Sequence, residues 1–197
     1  NKIQDYLNEL KHNQDNMAIT KKLLSITLST KERINEYQYI YNKIFKITGT
    51  PRTIVDLGAG FNLFSYPLMN LNELKYYSYD IDDKDIDYLN EYYKIMKDKG
   101  LSGKAAILDI RNLNKISYLP STDIIFLFKI IDIINKENHK PGEELITNLF
   151  KNNKTKFIVA SFATKTITRK QMNFPNRKWF ELMLQRNNLT YQMINTD

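Results

Sequence analysis

The pattern of apolar positions changes character near residue 50. Upstream they recur at helical spacing. Residues 3–10 and 17–26 read as short, loosely amphipathic helices, and a longer one follows. Ser29 with Glu32 three residues on has the form of a capping box, which predicts a helix starting there with Arg33 in its first turn. Ile34, Tyr37, Tyr41, Ile44 and Phe45 fall near one face of it, and Gly49 and Pro51 end it. From Thr53 onward, short apolar runs alternate with helical stretches. Strands are predicted over residues 53–57, 76–79, 105–108, 123–128 and 157–161, with residues 189–194 as a sixth. Helices are predicted over residues 63–71, 83–99, 141–150 and 176–186. Repeated strand–helix units with near-continuous apolar strands predict the α/β class, a doubly wound, mostly parallel sheet of Rossmann-like form. The expected organisation is a helical extension over residues 1–48 and a Rossmann-like domain over 49–197 that stops short of a seventh strand.

The first predicted strand ends Val55-Asp56-Leu57-Gly58-Ala59-Gly60-Phe61-Asn62. Gly58 and Gly60 allow a sharp turn and a close approach of backbone to a ligand. The third glycine of a dinucleotide fingerprint would stand at Leu63, so a pyrophosphate cradle is incomplete. Carboxylates complete the picture. Asp56 precedes the first glycine, where a cationic amine is welcome. Asp80 ends the second strand, where a carboxylate can accept bonds from two ribose hydroxyls. Asp109 follows the third strand, where a purine amino group could be read. Any one of these aspartates alone reads as a turn cap. Three at successive strand ends beside Gly-x-Gly read as a site for an amine, a ribose and a purine without phosphate, which describes S-adenosylmethionine. The run from Asp82 to Asp87 lacks the glycine and closing glutamate of a calcium loop, and acidic residues there fit a helix start instead.

Composition narrows the function classes. The 197 residues are 42% hydrophobic, enough to bury a core. No stretch reaches the roughly 18 apolar residues of a spanning helix, so no membrane association is expected. Cysteine is absent, which removes disulfides, thiolate zinc sites and cysteine nucleophiles together. The two histidines, His12 and His139, are read as surface residues, and no metal site is expected. The chain begins at Asn1 without a signal-peptide pattern, and reads as cytoplasmic with its first residues trimmed. The net charge of +7 is unevenly spread: +3 over residues 1–50, −3 over 51–150 and +7 over 151–197. An acidic middle between basic ends suggests a small-molecule site beside a surface for a polyanion. A lysine-rich composition scattered over solvated faces is the alternative. Lys31, Lys165, Arg169, Lys170, Arg177 and Lys178 are the candidate phosphate contacts.

Several of these segments carry a family likeness. Ser29-Thr30-Lys31-Glu32-Arg33, Asp56-Leu57-Gly58-Ala59-Gly60-Phe61-Asn62, Pro67, residues 69–73 and Asp80-Ile81-Asp82 resemble the aminoglycoside-resistance 16S ribosomal RNA methyltransferases of the Arm/Rmt, or FmrO-like, group. The likeness runs on through residues 123–129, Ser161-Phe162, Thr164-Lys165 and Trp179-Phe180-Glu181. The prolines that the family carries after the Asn, after the fourth strand's lysine and after Ser-Phe are replaced here by Leu63, Asp132 and Ala163. The resemblance implies an S-adenosylmethionine-dependent methyltransferase acting on nitrogen-7 of a guanine in small-subunit ribosomal RNA, with aminoglycoside resistance as a consequence. It places Arg33, Asp56, Gly58, Asp80 and Asp109 at the cofactor, Lys129 at the target base, and Lys165 with its neighbours on RNA; Gly60, Ile81 and Phe128 are the further cofactor candidates. The expected partner is ribosomal RNA or the assembled small subunit, met by a monomer. A methyltransferase for tRNA or a small molecule, or a non-catalytic RNA-binding assembly factor, are the alternatives.

Overall fold

The computed structural model describes residues 1–12, 16–136, 138–152, 154–162 and 177–195. The helices α1 (Lys2–His12), α2 (Asn16–Leu24), the single-turn α3 (Leu28–Lys31) and α4 (Tyr37–Thr48) come first. Five strands follow: β1 (Thr53–Leu57), β2 (Leu74–Asp80), β3 (Leu101–Ile107), β4 (Thr122–Phe128) and β5 (Thr155–Ser161). They form one sheet in the order β3-β2-β1-β4-β5, with every neighbouring pair parallel. The chain moves outward from β1 through β2 to β3, then crosses to β4 on the other side of β1. That reversal places a ligand crevice at the carboxyl ends of β1 and β4.

Alternation along the strands builds two cores. Ile54, Tyr76, Ile124 and Phe126 face Leu7 of α1, Leu23 of α2, Tyr41 of α4 and Leu89 of α5 (Asp83–Met96). Val55, Leu57, Ile125 and Leu127 face the other way. There they meet Ile116 of α6 (Leu113–Ile116), Ile131 of α7 (Ile131–Ile134), Leu145 of α8 (Lys140–Lys151) and Met183 of α9 (Lys178–Arg186). Each fully buried aliphatic side chain contributes about 1.5–3 kcal/mol, so both faces of the sheet depend on their helices. None of the described helices is long and apolar enough to cross a membrane.

Three expectations are corrected. The Ser29–Glu32 capping box does not form: the N-cap of α3 is Thr27, and α4 begins only at Tyr37 with Glu36 before it. The buried Thr30 hydroxyl donates inward to Leu24 O at 2.6 Å, while Glu32 is drawn to Lys129, so tertiary partners outcompete the local cap. Arg33 consequently lies in the turn between α3 and α4, not in the first turn of a long helix. Residues Asn62–Met69 form a 3₁₀ segment, not an α-helix, with Pro67 and its missing N–H inside it. Residues 189–194 make no strand; Tyr191 and Met193 are exposed, and β4 is the partner of β5 among the described residues.

The closeness of β2 and β3 is testable at one glycine. Gly103 has φ +129°, and a Cβ there would sit 1.7 Å from Tyr76 O, whereas Gly49 at φ +78° has open space around it. Gly103→Ala is expected to destabilise the fold by about 3 kcal/mol or more, and Gly49→Ala by only about 1 kcal/mol of backbone strain. Urea midpoints measure both, and equal losses would contradict the strand packing.

Candidate functional site

At the carboxyl end of β1 the chain turns through Gly58-Ala59-Gly60, with φ +72° and +46° at the two glycines. The turn is stitched to the end of β2. The Gly58 and Ala59 N–H groups donate to Tyr79 O at 2.8 and 3.0 Å. The Gly60 N–H donates to Asp80 Oδ2 at 2.7 Å, and the Ile81 N–H donates to Asp80 Oδ1 at the same distance. A side chain on Gly58 would run into Ile130, but a Cβ on Gly60 would meet nothing within 4 Å. Open space therefore adjoins the second glycine. An ionised carboxylate offers about four acceptor positions, so Asp80 retains capacity for hydroxyl donors after fixing the turn. Ile81 beside it is 67% exposed, a solvent-facing apolar surface at the lip of the crevice.

Asp56 lies on the same face of β1 as Ile54, and so points into a core at 1% exposure. Its Oδ2 accepts bonds from the Tyr76 hydroxyl at 2.6 Å and from Asn62 Nδ2 at 2.9 Å. Its Oδ1 is buried with no hydrogen-bond partner. Burial pushes this carboxyl from 3.8 up to about 6, against the opposing pull of the Tyr76 and Asn62 bonds and the Arg33 charge. An orphaned carboxylate oxygen in this position favours a cation or a donor group beside it.

From the other side of β1, Arg33 completes the rim. Its guanidinium lies 5.3 Å from the ring centre of Tyr37 and 5.1 Å from that of Phe128, and its Nε donates to Ser29 O at 2.9 Å. Stacking between two rings holds the charge in a defined place. Lys129, one residue past β4, adopts φ +59° and donates its N–H to Ser161 O at 2.9 Å. Its ammonium pairs with Glu32 at 2.7 Å. The structure thus gathers Arg33, Asp56, Gly58, Gly60, Asp80, Phe128 and Lys129 around the carboxyl ends of β1, β2 and β4.

Two predicted residues are engaged elsewhere. Asp109 follows Leu108, whose N–H donates to Asp80 O at 2.8 Å, but both its oxygens are taken by the forked guanidinium of Arg111, at 2.9 and 2.8 Å, which lowers its pKa. It does not stand free to read a purine amine. Arg177 is only 11% exposed: its Nη2 donates to Asp132 Oδ2 at 2.9 Å and its guanidinium lies over Phe162. It ties the start of α9 to α7 and is not presented to phosphate. Lys31 is exposed at the end of α3. Lys165, Arg169 and Lys170 lie outside the described residues. His139 is exposed and stacked 4.0 Å from Trp179. Open depressions of about 370 and 580 Å³ occur at the amino ends of β1, β4 and β5 and between α1 and α5, and neither includes the glycine turn.

Sequence reading missed Tyr37, Asn62 and Tyr76 as parts of the site. The signal was available: strand alternation buries Asp56, and a buried carboxylate requires donors.

Residues 12–194 match a family model described as Ribosomal RNA methyltransferase (FmrO). The chain is 28% identical over 153 residues to a 16S rRNA (guanine(1405)-N(7))-methyltransferase of Proteus mirabilis, covering 76% of this chain and 51% of that protein. It is 24% identical over 148 residues to the enzyme of the same name from Micromonospora rosea, covering 75% and 50%. The chain therefore spans about half the length of the curated relatives it matches. Its fold is similar to that of the 16S rRNA methylase ArmA, with TM-score 0.63 and 24% identity over 94% of this chain and 88% of that one. It is also similar to the 16S rRNA methyltransferase RmtF in complex with S-adenosyl-L-homocysteine, with TM-score 0.68 and 19% identity over 94% and 65%.

The buried carboxylate has a pH signature. Between its ordinary pKa of 3.8 and about 6, Asp56 binds a proton more tightly in the folded chain than in the unfolded one. Its contribution is therefore fully favourable below that window, and stability falls as pH rises through it, by about 3 kcal/mol in all. Asp56→Asn removes the titration while keeping an acceptor for Tyr76 and Asn62. Relative to wild type, the variant should gain stability from pH 4 to pH 6.5 in urea unfolding. Parallel stability curves would contradict the burial.

Proposed function

The chain belongs to the FmrO family of ribosomal RNA methyltransferases, and we propose that it transfers a methyl group from S-adenosylmethionine to nitrogen-7 of a guanine in 16S ribosomal RNA. The observation that carries this reading is the glycine turn bonded to Asp80 beside a buried Asp56 with one oxygen unpartnered. These residues fit the cofactor piece by piece. Asp80 suits the ribose hydroxyls, Gly60 leaves room for close approach, and Asp56 suits the amine directly or through one water. Arg33 carries a fixed positive charge for the methionine carboxylate. Ile81 and Phe128 supply apolar surface. Asp109, engaged by Arg111, is left out of this grip.

When bound, the cofactor supplies an electrophilic methyl group on a sulfonium. The protein's task is then mainly to align it with the nucleophile. Guanine nitrogen-7 keeps its lone pair at neutral pH, so no side chain has to remove a proton, and a site without histidine or cysteine is chemically sufficient. Lys129 lies on the rim where a target base would enter. Guanine presents two acceptors, N7 and O6, on that edge, whereas adenine presents a donor beside its N7. An ammonium facing O6 favours guanine and repels adenine. Glu32, which pairs with Lys129 in this structure, orients the ammonium until the base arrives.

Affinity for the ribosomal partner is assigned to phosphate contacts from Lys31 and from the basic segment containing Lys165, Arg169 and Lys170. The similarity to proteins named for nitrogen-7 methylation of guanine 1405 makes a decoding-region guanine the proposed target, and protection from aminoglycosides the proposed consequence. The test uses purified small ribosomal subunits and tritiated S-adenosylmethionine. Label should enter 16S RNA, and borohydride–aniline cleavage, which is selective for 7-methylguanosine, should give one strong primer-extension stop. Label appearing instead in transfer RNA, in a small molecule or nowhere would overturn the reading.

A further inference from the structure

A chain of buried polar groups leads from the first helical layer to Asp56. The Tyr37 hydroxyl of α4 donates to Asn62 Oδ1 at 2.9 Å. The Asn62 amide then donates to Asp56 Oδ2 at 2.9 Å and to the Tyr76 hydroxyl oxygen at 3.1 Å. The Tyr76 hydroxyl spends its own proton on the same Oδ2 at 2.6 Å. Tyr37, Asn62, Tyr76 and Asp56 are each at most 2% exposed, so the chain is shielded from bulk solvent. The direction of every bond follows from donor arithmetic. A carboxylate only accepts, so Asn62 must turn its NH₂ toward Asp56, and its carbonyl is left for the Tyr37 hydroxyl. Both donors converge on Oδ2, and Oδ1 is left buried without a partner.

We propose that Tyr37 and Asn62 are positioning residues for the cofactor: Asn62, held by the Tyr37 hydroxyl, joins Tyr76 in saturating one oxygen of Asp56, fixes the plane of its carboxylate and reserves the other oxygen for the α-amine. This rests on the S-adenosylmethionine reading above. It adds that α4, outside the sheet, sets the geometry of the amine grip. Removal of the Tyr37 hydroxyl frees the Asn62 amide to rotate. Removal of the Asn62 amide leaves Asp56 with one donor and freedom to turn Oδ1 away. Neither residue has to touch the ligand for its affinity to change.

The experiment compares two ligands by calorimetry: S-adenosylhomocysteine and its deaminated analogue, in which hydrogen replaces the α-amine. Wild type should bind the amine-bearing ligand at least about tenfold more tightly. In Asn62→Ala and Tyr37→Phe that preference should shrink to about twofold and fivefold or less, because only the amine contact is lost, while affinity for the deaminated analogue stays within twofold of wild type. This is a thermodynamic cycle that a general loss of structure does not reproduce. If both ligands weaken in parallel in the variants, the two residues act on the fold alone and the proposal fails. If wild type binds both ligands equally well, Asp56 does not grip the amine and the proposal fails again. If wild type binds neither, the cofactor reading itself is wrong.

Discussion

The hydrogen bond from the Gly60 N–H to Asp80 fixes how two neighbouring strands end. It draws the turn after β1 onto the end of β2, so that backbone donors, a carboxylate and open space share one crevice. The bond is short because an ionised acceptor strengthens it. It needs a positive φ at Gly60 for the N–H to aim across the strand gap. Once the turn is set, Gly58 can pack against Ile130 after β4, and the rim formed by Phe128 and Lys129 falls into place on the far side of β1.

The helices that precede the sheet contribute more than a cover. Arg33 reaches the crevice because the chain breaks between α3 and α4, and the two rings flanking its guanidinium come from α4 and β4. Glu32 from the same break meets Lys129 across 97 positions of sequence. Tyr37 supplies the donor that starts the polar chain to Asp56. Charges near the site are thus distributed between an outer layer and the sheet, and the site forms only when the two pack together.

Much of this was legible in the amino-acid order. The apolar runs that became β1 and β4 are buried on both faces, and such strands announce themselves. The ends of β2 and β3 were less clear because Lys75, Ser102 and Lys104 face outward near or on an edge of the sheet, where polar residues mimic loops. The run after α9 has strand-like composition but no neighbouring strand among the described residues to complete a ladder, and alternation alone does not supply one. Ser29-x-x-Glu32 has the spacing of a cap, yet a distant lysine and a buried threonine decided the local geometry. Of the three aspartates, Asp56 and Asp80 lie beside the glycine turn, where their positions at strand ends put them. Asp109 is paired with Arg111 two residues later, a local pairing that a strand-end rule ignores.

The account stands most directly on Asp80, whose carboxylate both shapes the turn and offers acceptors to a ribose. Calorimetric titration of Asp80→Ala with S-adenosylhomocysteine, alongside the wild-type chain, tests it. The account predicts a single site in wild type and a loss of at least about 100-fold in the variant, the equivalent of about 3 kcal/mol. Undiminished affinity in a folded Asp80→Ala protein would contradict it.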